Sequence, residues 1–311
     1  MTEPALVADT LVRRYGKNEA VRGVSFSIER GELYGLVGPD GAGKTTTLRM
    51  LAGLVRPSGG SVRVLGVDPF GKGSARVRDA LGLVPQEHSL YADLSIEENL
   101  DFFRSLYGLS THDYLTRRAR LLDITRLGAF MSRRASQLSG GMYKKLALSC
   151  ALLHQPEVLL LDEPTNGVDP VSRRELWELI YEFIAQGMCV VVSTPYMDEA
   201  SRCHRVALVN GGRVLREGAP EALVRAFPGT AAEIVGGDRE ALHSLALALP
   251  EIVAASPAGA RLRVVIAPGA QDAVGAKVRA LGAELVSSPP DFEDLFLFEI
   301  AAATHVEARA A

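Results

Sequence analysis

The stretch GPDGAGKT, residues 38–45, restricts the fold of this chain more than any other segment. It fits G-x-x-x-x-G-K-[ST] and stands between strand-like ELYGLV and helix-like TTTLRMLAGLV. A loop of this kind needs a buried strand to hold it and a helix whose first N–H groups converge on phosphate. The glycines allow that close backbone approach. Lys44 is placed to reach the β- and γ-phosphates, and Thr45 to ligate Mg²⁺. Gly38, Asp40, Gly41, Ala42, Gly43, Lys44, Thr45 and Thr46 make the candidate nucleotide-binding set.

A second strand end carries matching chemistry. EVLLLDEP, residues 157–164, is an apolar run that stops at two carboxylates. Beside a P-loop, Asp162 is the expected Mg²⁺ partner. Glu163 then points to where an attacking water would sit, able to orient it and accept its proton.

Between these two motifs lies LSGGM, residues 138–142, ahead of the helical MYKKLALSCALLH. Ser139 and the bare backbone of Gly140 and Gly141 form a second phosphate-directed helix start. One nucleotide hardly needs two such sites from one chain. The simplest resolution is that the second serves the ATP of a partner copy.

The elements alternate strand and helix, which predicts a mainly parallel sheet covered on both faces. Residues 5–37 read as short strands and turns. Residues 87–155 read as helical and charged, with a capping box at Ser95 and Glu98. Asp169 and Pro170 open a helix over ELWELIYEFIAQG. RVALVNGGRVLREG reads as a hairpin about Asn-Gly-Gly. Beyond about residue 225 the elements are weaker and rich in Ala and Gly: RLRVVIAP as a strand, QDAVGAKVRALG as a helix, PPDFEDLFLFEI as a final helix or strand. The expected boundaries are 1–225 for a nucleotide-binding domain, with a helical subdomain near 87–155, and 226–311 for a small α+β accessory domain.

Bulk properties exclude several classes. The formal net charge of −3 gives no basic field for nucleic acid. Cys150, Cys189 and Cys203 are odd in number and lack C-x-x-C spacing, so they read as reduced core thiols of a cytosolic protein. MTEPALVADTLVRR has no apolar signal core, and no stretch approaches the roughly 18 apolar residues of a membrane span. A membrane role must then come through a partner.

Over residues 5–225 these motifs, in this order, resemble the nucleotide-binding subunits of ABC transporters. GPDGAGKT is similar to the Walker A element, LSGGM to the signature, and VLLLDEP to Walker B. The resemblance implies a RecA-like P-loop core with an antiparallel N-terminal β subdomain and a helical subdomain. It also implies ATP and Mg²⁺ as ligands and an ATP-sandwich dimer. NGVD, residues 166–169, looks like the D-loop, which puts Asp169 at the dimer interface. Gln86 looks like the Q-loop glutamine that senses Mg²⁺ and the γ-phosphate. Tyr15 fits the aromatic that stacks on adenine, a contact of about 1–3 kcal/mol by analogy with bases on aromatics. LSIEENLDFF and STPYMDEA look most like the separate ATPase subunits of ABC-2 type exporters. That implies a membrane permease as partner and a place on the cytoplasmic face. Leu90, Tyr91, Phe102 and Phe103 are then candidates to dock it.

Two positions depart from the family. Asp40 stands where Asn is common. Pro195 ends the strand MCVVVSTP where the family has a switch His that contacts the γ-phosphate, and proline offers neither side-chain donor nor N–H. His88 is the one histidine near enough to be considered as a replacement, and Tyr196 adjoins the gap. Three readings follow: a transport ATPase with slowed turnover, a nucleotide-binding regulatory subunit paired with an active one, and a soluble ABC protein.

Overall fold

Alternating apolar and polar side chains near the N-terminus form β1 (Leu6–Tyr15) and β2 (Asn18–Ile28), paired antiparallel. A computed structural model describes residues 3–87 and 89–310. It comprises two units, Met1–Pro195 with Gly211–Val214, and Tyr196–Asn210 with Leu215–Ala311. His88 lies outside the described residues.

The first unit continues with β3 (Leu33–Val37), α1 (Lys44–Leu51), β4 (Gly59–Val64), α2 (Ser74–Ala80) and β5 (Leu81–Val84). Then come α3 (Ile96–Leu106), α4 (Thr111–Thr125), α5 (Gly140–Leu152), β6 (Val158–Asp162), α6 (Pro170–Ile184) and β7 (Cys189–Thr194). β4 completes an antiparallel sheet in the order β2-β1-β4. β5, β6, β7 and β3 lie side by side, all parallel. Every residue of β3, β6 and β7 is buried, which is why these strands do not alternate and stay largely apolar until the polar ends of β6 and β7. Parallel register brings the C-terminal ends of β3, β6 and β7 to one edge. Asp162 stands opposite Ser193, and Val37 opposite Thr194.

Local start signals act as the residues require. Ser95 and Glu98 close a capping box on α3. Asp169 caps α6, accepting from the N–H groups of Val171 and Ser172, with Pro170 in its first turn. Cys150, Cys189 and Cys203 are free and buried. Burial pushes the thiols up, those of Cys189 and Cys203 to about 12. Such thiols are protonated and inert.

The second unit holds α7 (Met197–Ala200), β8 (Arg205–Asn210), α8 (Pro220–Arg225) and all of β9 (Arg213–Gly218) but its first two residues. The remainder is β10 (Thr230–Gly236), α9 (Arg239–Ala248), β11 (Ile252–Ala258), β12 (Arg261–Ile266), α10 (Gln271–Ala280) and β13 (Ala283–Ser287). Its sheet runs β11-β12-β10-β13, antiparallel throughout. This βαββαβ order is the ferredoxin-like, split-βαβ arrangement. The final segment, α11 (Phe292–Ala310), is a helix. Its start is organised by Asp291, which accepts from the N–H groups of Glu293 and Asp294, and by a two-pronged pair between Arg263 and the buried Asp294 at 2.9 and 2.6 Å.

Candidate functional site

The loop after β3 turns back over the strand ends. Gly38 N–H donates to Thr194 O at 3.2 Å, tying the loop to the end of β7. Gly43 has φ +101°, and a Cβ there would lie 2.5 Å from Ala20 O, so only glycine fits. Lys44 opens α1 with 4% exposure, and its ammonium donates to Gly38 O at 2.8 Å and Pro39 O at 3.0 Å.

A cavity of about 410 Å³ opens above this loop. Tyr15, Asp40, Gly41, Ala42, Gly43, Lys44, Thr45, Thr46, Gln86 and Glu163 line it, together with Asn18 and Ala20. The polar groups interlock. Thr45 Oγ1 donates to Asp162 Oδ1 at 3.0 Å. One oxygen of Glu163 lies 3.5 Å from Lys44 Nζ, and the other accepts from Gln86 Nε2 at 2.8 Å and Asn166 Nδ2 at 3.2 Å. Tyr15 is half exposed, with the Arg13 guanidinium 4.6 Å from its ring centre. Asp40 is exposed at the rim.

Ser139, Gly140, Gly141 and Asp169 do not line this cavity. Ser139 is the exposed N-cap of α5, its hydroxyl accepting from Met142 N–H at 3.3 Å. The two glycines press on the start of α6. A Cβ on Gly140 would lie 2.9 Å from Gly167 O, and one on Gly141 would lie 2.3 Å from Ser172 Oγ. The Asp169 carboxylate is held below its usual value, chiefly by the Ser172 N–H.

Sequence reasoning passed over two residues at this site. Lys144, on α5, donates to Gln86 O at 2.8 Å. Burial lowers its amine, opposed by the charges of Asp162, Glu163 and Glu87. Ser193, on β7, donates to Asp162 Oδ1 at 2.6 Å. Neither belongs to a local motif, so only their neighbours across the fold reveal them.

Residues 21–166 match the ABC transporter family. The Nod factor export ATP-binding protein I of Rhizobium sp. (strain N33) is 37% identical over 299 residues, covering 96% of this chain and 97% of that one. The chain belongs to the ABC transporter ATP-binding proteins. A probable multidrug ABC transporter ATP-binding protein, YbhF of Escherichia coli (strain K12), is 42% identical over 271 residues. That match covers 86% of this chain, which spans about half the length of that relative (46%). Among solved structures, a dimeric post-hydrolysis state of an ATP-binding cassette bound to ADP and Pi aligns at TM-score 0.63 and 25% identity. It covers 69% of this chain and 98% of that one. The cassette is therefore the RecA-like P-loop fold, and one of these relatives is an export protein by name while the other is a multidrug ABC transporter ATP-binding protein. No helix among the described residues is long and apolar enough to cross a membrane.

Proposed function

We propose that this ABC protein is the ATP-hydrolysing subunit of an ABC-2 type exporter, peripheral on the cytoplasmic face of the membrane and working as an ATP-sandwich dimer. The observation that carries this is the convergence of Lys44, Gln86 and Glu163 in one cavity, beside Thr45 bonded to Asp162. In this reading the P-loop backbone and Lys44 hold the phosphates, and Tyr15 lies against adenine. Glu163 orients the attacking water and takes its proton, with Gln86 donating to the same carboxylate. Ser139, Gly140, Gly141 and Asp169 face outward to serve the ATP of a second copy. The absence of these four from the chain's own cavity supports that division, and the dimeric neighbour is a cassette of the same fold.

The donor set suits Mg²⁺. One hydroxyl and one carboxylate, from Thr45 and Asp162, are hard oxygen ligands that leave room for the waters and phosphates this ion retains. Gln86 would stand at its edge. When bound, the ion neutralises charge on the β- and γ-oxygens.

The permease would dock on the region from residue 86 to 109. Tyr91 is 51% exposed, and its ring packs edge-on to Phe102 at 4.5 Å, with Phe103 beyond. Leu90 is partly exposed beside them. A second reading, a regulatory subunit that closes on ATP and barely hydrolyses it, is favoured by Pro195. The paired Asp162 and Glu163 favour the active enzyme.

The test is a sizing experiment with ATP and Mg²⁺ alongside steady-state turnover. Glu163→Gln should trap an ATP-bound dimer, and adding Ser139→Arg should return it to monomer. A Glu163→Gln protein that stays monomeric at saturating ATP would overturn the shared-site arrangement. A wild type with no turnover in the presence of its permease would favour the regulatory reading.

A further inference from the structure

Glu163 occupies a backbone conformation that its side chain disfavours. Its φ is +49°, in the left-handed region where a Cβ crowds the neighbouring carbonyl. A non-glycine residue stays there only when its surroundings over-determine it. On the N–H side those surroundings are Ser193, while the Glu163 carbonyl accepts from Asn166 N–H at 3.3 Å. β6 and β7 place Asp162 and Ser193 directly opposite one another. The Glu163 N–H donates to both Ser193 Oγ and Ser193 O, each at 3.1 Å. The Ser193 hydroxyl donates in turn to Asp162 Oδ1 at 2.6 Å, and Ser193 is fully buried.

This hydroxyl has one arrangement open to it. An ionised carboxylate accepts and cannot donate, so the single hydroxyl proton goes to Asp162. The lone pair is then left for the Glu163 N–H. The bonds are directional and complementary, and neither an aliphatic side chain nor a weakly bonding thiol reproduces them. The backbone turn they hold directs the Glu163 carboxylate toward Lys44 and Gln86.

We infer that Ser193 is a positioning residue of the nucleotide site, its hydroxyl locking the Asp162–Glu163 pair so that the Glu163 carboxylate faces the phosphate loop. The inference rests on the role proposed above for Glu163. It also assigns to this strand end a group that organises the site two residues before Pro195.

The test uses the full chain with its permease. Ser193→Ala should lower kcat about 10- to 100-fold while KM for ATP stays within about twofold, as expected for misplacement without loss of binding. Ser193→Cys, close in volume, preserves packing and should show the same loss. Combined with Glu163→Gln, Ser193→Ala should add no further loss. A crystal structure of Ser193→Ala should show Glu163 out of the left-handed region, or its carboxylate turned from Lys44. This last readout is independent of turnover, so it still decides the inference if the wild type proves not to hydrolyse ATP. Folded Ala or Cys variants with wild-type kcat and an unmoved Glu163 would overturn it. An equal loss of kcat in the Glu163→Gln background would do so too, since it would mark a general structural defect.

Discussion

Two helices in this chain start at glycine-rich segments, and those starts are built differently. At α1 the loop curls inward. Lys44 is almost fully buried, its ammonium is shared between two loop carbonyls and Glu163, and three strand ends supply the neighbours. At α5 the cap faces solvent, and the glycines are packed from behind by Gly167, just before α6, and by Ser172 in its first turn. Lys145 of α5 pairs with Glu175 of α6, bracing the same contact. The first start is half of a pocket, complete with charge and carboxylates. The second is an exposed helix start outside that pocket. The difference teaches that glycine at the two places answers different demands. At Gly43 it admits a left-handed backbone and a close carbonyl. At Gly141 it lets two elements of the same chain touch.

Removing Lys44 should break the comparison most severely. Lys44→Ala deletes a buried cation that the proposed function sets against phosphate, and charge-assisted bonds contribute roughly 1.5–3 kcal/mol each. ATP affinity, read by titration calorimetry, should fall about 10- to 100-fold, with the fold retained in circular dichroism. Unchanged affinity would show that the inward site is not the nucleotide site.

The outward site should respond in the opposite way. Gly141→Ala forces a Cβ to 2.3 Å from Ser172 Oγ, and overpacking of this kind typically costs about 1–3 kcal/mol. Urea denaturation should show lower stability, and sizing should show weaker ATP-driven dimerisation, while the isolated chain's affinity for ATP stays normal. Full stability would mean that the glycine serves only an incoming phosphate.

The smallest change expected is at the strand end that links the two. Pro195→His restores a donor next to Thr194, whose carbonyl holds the P-loop. Deleting one transition-state donor in other enzymes costs about 10²–10³ in rate. The gain here should be smaller, because Gln86 already bonds Glu163, and ATP affinity should hardly move. Turnover measured with the permease present checks it. A folded variant no faster than wild type would show that another group already fills the switch role.

Much of the site is legible in the residues themselves. GPDGAGKT, VLLLDEP and LSGGM are contiguous, and their residue types declare the groups they offer to phosphate, metal and water. The Ser95 capping box and the Asp169–Pro170 start of α6 are legible too, since both rest on bonds between near neighbours in the chain. The ending PPDFEDLFLFEI reads as helix or strand, because its apolar run has no clear period. Asp291 at the cap and the distant Arg263 on Asp294 decide for helix.

What only the tertiary structure decides lies between strands. Ser193 reads as one more small residue in a β-branched run until parallel register sets it against Asp162. Lys144 is one of two adjacent lysines until α5 carries it beneath the Gln86 carbonyl. The left-handed backbone of Glu163 and the ferredoxin-like strand order of the second unit are likewise absent from any short window. The sequence by itself determines which groups can bind phosphate, metal and water, since those capacities belong to side chains and to local backbone turns. The tertiary structure determines which of them meet, because register and crossover place residues that are 31 positions apart within 2.6 Å of one another.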